Sequence, residues 1–172
     1  MAQKKIKSVA YKKGSKEKLL EEAMPAYSTA QKTLGMIGGR ASTIAGTVVK
    51  EESDFIELIK KGIPRKSLDL LIAITGITAN EMAALMHTSD RTLRRYKPST
   101  LLNTEQSERV IEIARLYSRG EEVFGNMDLF KEWMNATQMV LGNQKPKDFL
   151  DTSMGIELLM KELGRAEQGV YS

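Results

Sequence analysis

Thr78-Ala79-Asn80-Glu81-Met82-Ala83-Ala84-Leu85-Met86-His87-Thr88-Ser89-Asp90-Arg91-Thr92-Leu93-Arg94-Arg95-Tyr96-Lys97 is the stretch whose reading decides the fold of this 172-residue chain. Thr78 followed three residues later by Glu81 is a capping box, in which each side chain satisfies a backbone N–H at the start of a helix. Met82, Leu85 and Met86 then face inward at helical spacing. A second short helix starts at Ser89. Two helices over 78–86 and 89–97, with His87-Thr88-Ser89 between them, predict a helix-turn-helix. Leu93 is the buried anchor of the second helix, and Tyr96 shares its face. Arg91 and Arg95 lie one turn apart on another face, with Arg94 beside them. Arginine near the start of such a helix can pair bidentately with guanine in the major groove. The Ser89 and Thr92 hydroxyls and the helix N-terminus suit phosphates. The candidate DNA-contacting set is Thr88, Ser89, Arg91, Thr92, Arg94 and Arg95. Asp90 reads as a helix-dipole partner or a reader of cytosine. His87 takes the turn position often held by glycine, and no neighbour in the pattern would orient it for catalysis.

Outward from this pair the pattern stays helical. Ser53 can cap a helix through Phe55, Ile56, Leu58 and Ile59 that stops at Gly62. Pro64 suits the first turn of the next helix, whose apolar side is Leu68, Leu71, Ile72 and Ile74 and which ends at Gly76. On the C-terminal side, residues 104–117 carry Val110, Ile111, Ala114 and Tyr117 on one side, and Gly125 breaks that helix. Residues 128–136 form a short helix around Trp133, and 142–146 a turn. Asp151-Thr152 opens a final helix with Ile156, Leu158, Leu159 and Leu163. No segment sustains period-two alternation, so the body is predicted to be all-α. The helices over 53–75 are expected to supply a dimer contact or the core beneath it. The methionines, Met82, Met86, Met134, Met139, Met154 and Met160 among them, read as adaptable core residues.

The charge is uneven. Residues 1–20 hold seven lysines (Lys4, Lys5, Lys7, Lys12, Lys13, Lys16 and Lys18) against Glu17 alone. The rest of the chain is slightly acidic, so the net +4 resides in the N-terminal stretch. Such an arm reads as a solvated tail or a binder of phosphate backbone. Residues 26–49, rich in Ser, Thr, Ala and Gly, read as a linker with at most short structure. Gly35-Met36-Ile37-Gly38-Gly39-Arg40 is a weak phosphate-loop signal, since no Gly-Lys-Ser/Thr follows. With no cysteine and one histidine, thiolate metal sites and thiol nucleophiles are excluded, and no metal or cofactor is implied. A transmembrane run and a secretory signal are both missing from the pattern, which suits a cytoplasmic protein with no membrane partner. At the other end, Gly164-Arg165-Ala166-Glu167-Gln168-Gly169-Val170-Tyr171-Ser172 carries apolar residues where ends are commonly frayed and polar. That end is expected to dock on its own core or on another protein.

Several ordered motifs carry a family resemblance. They begin with Gly62-Ile63-Pro64, Leu68 and Leu71, then Ser89-x-Arg91-Thr92-Leu93-x-Arg95 and Ser107-Glu108-Arg109. Glu122-Val123-Phe124-Gly125, Trp133, Leu141-Gly142, Pro146-x-x-x-Leu150-Asp151-Thr152 and Gly155 follow. Leu163-Gly164-Arg165-x-Glu167-x-Gly169-Val170-Tyr171 closes the series. Over roughly residues 50–172 the chain resembles the Xre/MbcA/ParS antitoxins, in particular Xre antitoxins partnered with RES-domain toxins in type II toxin–antitoxin systems. Lys147, Ala166 and Gln168 depart from the family's usual apolar, larger aliphatic and histidine residues, which bears on the toxin variant the chain would fit.

The resemblance implies an Xre-like helix-turn-helix domain followed by a small helical toxin-binding domain. With the basic tail and linker read from composition over 1–49, the resemblance implies a DNA-binding and dimerising domain over 50–120 and a toxin-binding domain over 121–172. It implies that the chain performs no chemistry and covers the active-site entrance of an NAD-consuming RES toxin. It also implies repression of its own operator, with a homodimer inside a hetero-oligomeric complex. Gly164, Arg165, Glu167, Gly169, Val170, Tyr171 and Ser172 become the toxin-binding set, with Arg165 and Tyr171 as anchors. The competing readings are a plain helix-turn-helix repressor with a C-terminal dimerisation domain, and an enzyme. For the enzyme, no base stands near a nucleophile, and Glu121-Glu122 reads as a solvated face.

Overall fold

The computed structural model describes residues 29–39 and 43–169. The basic stretch over 1–20 and the terminal Val170, Tyr171 and Ser172 lie outside the described residues. Residues 29–36 are helical (α1). A small antiparallel hairpin follows, β1 (Thr43–Ile44) and β2 (Thr47–Val48), with Thr43 opposite Val48 and Ile44 opposite Thr47. Its turn residues Ala45 and Gly46 both have positive φ, the geometry that matches strand twist in a two-residue hairpin. The expected linker over 26–49 is therefore corrected for its described part. Ala30, Leu34, Ile37, Ile44 and Val49 are buried in the core, and apolar burial at these positions outweighs the weak helix and strand propensities around them. The glycines at 38 and 39 end α1 in a turn rather than forming a phosphate loop.

The helical body then runs α2 (Asp54–Lys61), α3 (Arg65–Thr75), α4 (Ala79–Leu85), α5 (Asp90–Arg95), α6 (Thr104–Phe124), α7 (Met127–Asn135) and α8 (Ser153–Glu167), with 3₁₀ turns at Met139–Leu141 and Pro146–Phe149 between the last two helices. The expected Ser53 cap is not made: its hydroxyl donates to Glu51 at 2.8 Å. The turn is held instead by the Asp54 carboxylate, which accepts the N–H groups of Lys50 (2.7 Å) and Glu51 (3.1 Å) and is kept below the usual carboxylate range by them. Gly62 ends α2 at φ +96°, and a Cβ there would press on the Leu102 carbonyl, so this position requires glycine on two counts.

Pro64 precedes α3 and has no side chain that could cap it. The Thr100 and Pro98 carbonyls do so, accepting the first-turn N–H groups of Arg65 (2.8 Å) and Lys66 (3.0 Å). The Ile63 carbonyl accepts the Leu102 N–H at 2.9 Å. The segment that leaves α5 is thus strapped across the start of α3.

α6 is the axis. It buries Val110, Ile111, Ile113, Ala114, Leu116, Tyr117, Ser118 and Gly120, and α2, α3, α7 and α8 pack against it. The 120/121 division falls inside this one helix, so the two halves share it. Phe130 of α7 is fully buried at its far end. Its ring meets Tyr117 edge-on at 5.1 Å, Phe124 at 5.7 Å and stacks on Trp133 at 5.7 Å. Of the helices over 53–75, Phe55, Leu58, Leu68 and Leu71 enter the core, while Ile56 and Leu70 are exposed.

Gly120 is where α6 touches Phe130. A Cβ at that position would fall inside van der Waals distance of three ring carbons. In an unhindered helix Gly→Ala stabilises by about 1 kcal/mol. Here Gly120→Ala is expected to destabilise by about 1–3 kcal/mol, as overpacking does, read as a lower midpoint in thermal or urea unfolding.

Candidate functional site

α4 and α5 form the predicted helix-turn-helix. Thr78 and Glu81 make the capping box as read: the Thr78 hydroxyl accepts the Glu81 N–H at 3.2 Å, and the Glu81 carboxylate accepts the Thr78 N–H at 2.8 Å. The hydroxyl also donates to that carboxylate at 2.7 Å, and these bonds hold Glu81 below the ordinary glutamate range. The turn residue His87 adopts φ +50°, the left-handed conformation that explains why glycine suits this place. The Thr88 N–H donates to the Ala83 carbonyl at 3.0 Å, which closes the turn.

Leu93 is buried as the anchor of α5, with Tyr96 partly buried on the same side. Ser89 caps the helix by accepting the Thr92 N–H at 3.1 Å, and its hydroxyl shares a hydrogen bond with that of Thr92 at 2.8 Å. Asp90 pairs with Arg94 at 2.6 Å, so the first and last turns of α5 are linked by an ion pair that occupies Arg94. Arg91 and Arg95 are exposed, and among the described residues neither makes an ion pair. The six predicted residues therefore come together on one short helix, its Ser89 cap and the turn residue Thr88 before it, with Arg91 and Arg95 as the uncompensated cations.

At the other end, Thr152 caps α8 by accepting the Gly155 N–H at 3.1 Å, and the helix runs to Glu167. Arg165 reaches back to Glu162 at 2.6 Å; Glu162 is buried while the Arg165 side chain remains 62% exposed. Glu167 pairs with Arg119 of α6. Gly164 is half-buried, and Gly169 turns the chain at φ +68°. Beside this end lies an open groove of about 640 Å³ walled by Phe124, Trp133, Met139, Val140, Leu163 and Ala166. Met139 is 87% exposed and Val140 54%. Reading the methionines as core holds for Met82, Met86 and Met134 and fails for Met139 and Met154, which stand in solvent. This groove is not legible from spacing, because helical periodicity is lost in the 3₁₀ turn that carries Met139 and Val140. Lys147, one of the three residues out of step with the resemblance, pairs with Glu81 at 3.7 Å and so joins the second half of the chain to the cap of α4.

The chain thus joins a helix-turn-helix, a fold used by DNA-binding regulators, to a helical unit with an exposed apolar groove of the kind that marks interaction sites. Residues 54–115 match the family model for the antitoxin Xre-like helix-turn-helix domain. Residues 119–169 match that for the antitoxin Xre/MbcA/ParS C-terminal toxin-binding domain. The chain belongs to the Xre/MbcA/ParS antitoxin family and has the two domains of a toxin–antitoxin antitoxin. No curated protein matches it. Among the described residues, no single helix is long and apolar enough to cross a membrane.

The capping box carries a pH signature. Glu81 is lowered in the folded chain, so its contribution is present above about pH 4.5 and is lost as pH falls through its folded value. Glu81→Gln is expected to lower the unfolding midpoint at pH 7, with the gap from the parent protein closing as pH is taken well below 4.5. An equal gap at both pH values would assign the loss to something other than the carboxylate.

Proposed function

We propose that this antitoxin neutralises a RES-type, NAD-consuming toxin by laying its C-terminal segment over the toxin's active-site entrance, and that it represses its own operon through α5. The observation that carries the toxin-binding part of the reading is the match of residues 119–169 to the toxin-binding domain, which ends at the turn on Gly169; the RES assignment rests on the resemblance of the residues. Small residues at Gly164, Ala166 and Gly169 allow close approach of a partner backbone. Arg165 supplies an exposed guanidinium paired with Glu162, itself a groove-lining residue, and arginine and tyrosine are common interface anchors. Val170 and Tyr171 act as the apolar plug, with Glu167 and Ser172 completing the contact set. The antitoxin holds the toxin shut by occupying space and performs no chemistry itself.

On the operator, Arg91 and Arg95 read base edges while Thr88, Ser89 and Thr92 hold phosphates, with Arg94 at the groove edge. A homodimer presents two copies of α5 to two half-sites, and the exposed Ile56 and Leu70 supply apolar surface for that contact.

Truncation after Leu163 is expected to abolish protection of cells from the toxin encoded by the adjacent reading frame, with operator binding retained. Protection that survives the truncation contradicts the mechanism. Arg91→Ala is expected to weaken operator binding by about 1–3 kcal/mol and relax preference at one base pair, measured by titration against base-substituted operators. A uniform loss on every sequence would make Arg91 a phosphate contact instead.

A further inference from the structure

Residues 29–39 and 43–49 precede the stretch that either family domain covers. They are nonetheless built into the body: the hairpin packs on α2, and α1 is tied by its side chains to the second half of α6. The Thr33 hydroxyl donates to Ser118 at 3.2 Å in the buried interior, and the Ser118 hydroxyl contacts the Met36 sulfur at 3.5 Å. The Thr29 hydroxyl reaches both carboxylate oxygens of Glu122, at 3.1 and 3.2 Å, and Lys32 lies 3.5 Å from the same group. Glu122 in turn accepts from Arg119 Nη1 at 3.4 Å. The other end of that guanidinium, Nη2, pairs with Glu167, the last helical residue of α8. The contacts form one chain, from α1 through Glu122 and Arg119 to the final turn of α8.

The members are placed so that this matters. The Glu122 and Arg119 side chains are only 17% and 26% exposed, where charged hydrogen bonds are less screened than at an open surface. Helix ends fray unless something holds them, and the last turn of α8 carries Arg165 and leads into the residues proposed to enter the toxin. A binding segment held in place before contact loses less freedom on binding.

We propose that Arg119 is a positioning residue for toxin binding, and that α1 acts through it: α1 fixes Glu122, Glu122 orients Arg119, and Arg119 pins the end of α8. This rests on the toxin-binding reading above. The N-terminal segment is then part of the toxin-binding apparatus although it lies outside the toxin-binding domain.

The test is the affinity of the full-length chain for the purified toxin from the adjacent reading frame, in four forms: parent, Arg119→Ala, the α1 pair Thr29→Val with Lys32→Met, and all three changes together. Arg119→Ala is expected to lose about tenfold in affinity and the α1 pair a few-fold, with operator binding and the thermal midpoint near those of the parent. In the combined form the α1 changes are expected to cost nothing further, because their effect runs through Arg119. Arg119→Lys, which keeps the charge, is expected to recover part of the loss. Parental affinity in Arg119→Ala overturns the proposal. So do fully additive losses in the combined form, which would mean that α1 acts by general stabilisation. A parent chain that does not bind the toxin at all removes the toxin-binding reading itself, an outcome distinct from either of these.

Discussion

Burial of α6 is the constraint on which the rest of the structure depends. One face of this 21-residue helix carries residues of both family domains, and α2, α3, α7 and α8 gain their buried surface from it. Its start is fixed by the reciprocal Asn103–Gln106 cap and by Ser107, whose hydroxyl accepts the Ile63 N–H at 3.1 Å. Its end is fixed by the Phe124, Phe130 and Trp133 cluster. The two domains are thus not beads on a linker, because a helix that continues from one into the other leaves no hinge between 115 and 119.

From that axis the two working ends are positioned by different means. α5 is short and holds its shape through local bonds: the Ser89 cap, the Asp90–Arg94 pair and the strap of residues 98–102 across the start of α3. The end of α8 is held from a distance by Arg119 and Glu122. Lys147 adds a third tie, reaching from the second half of the chain to Glu81 at the cap of α4. That pair is partly exposed and worth little in stability, yet it places a charge of the toxin-binding domain against the first helix of the helix-turn-helix.

Much of this was legible in the residues. The capping box at Thr78-Glu81 and the turn at His87 located the helix-turn-helix, because caps and turn conformations are local properties of a few residues. Leu93 was readable as an anchor by spacing, and the ordered glycines and aromatics from Phe124 onward carried the family. What escaped was non-local. Residues 29–49 look like a linker in composition, and only the tertiary fold reveals that Leu34 and Ile37 have a core to enter. Ser53 looks like a cap, yet its hydroxyl is turned to Glu51, and the Asp54 carboxylate holds the preceding turn through the Lys50 and Glu51 N–H groups. The groove beside Trp133 and the Arg119–Glu167 pair join positions remote in sequence, which no periodicity can relate.

The most direct test is co-expression with the adjacent reading frame, followed by size exclusion and an assay of the partner's NAD consumption with and without this chain. A stable complex in which NAD loss is suppressed is the predicted result. A partner that fails to associate, or that associates and consumes NAD at its free rate, would contradict the toxin-covering mechanism and leave a DNA-binding regulator whose second domain serves another contact.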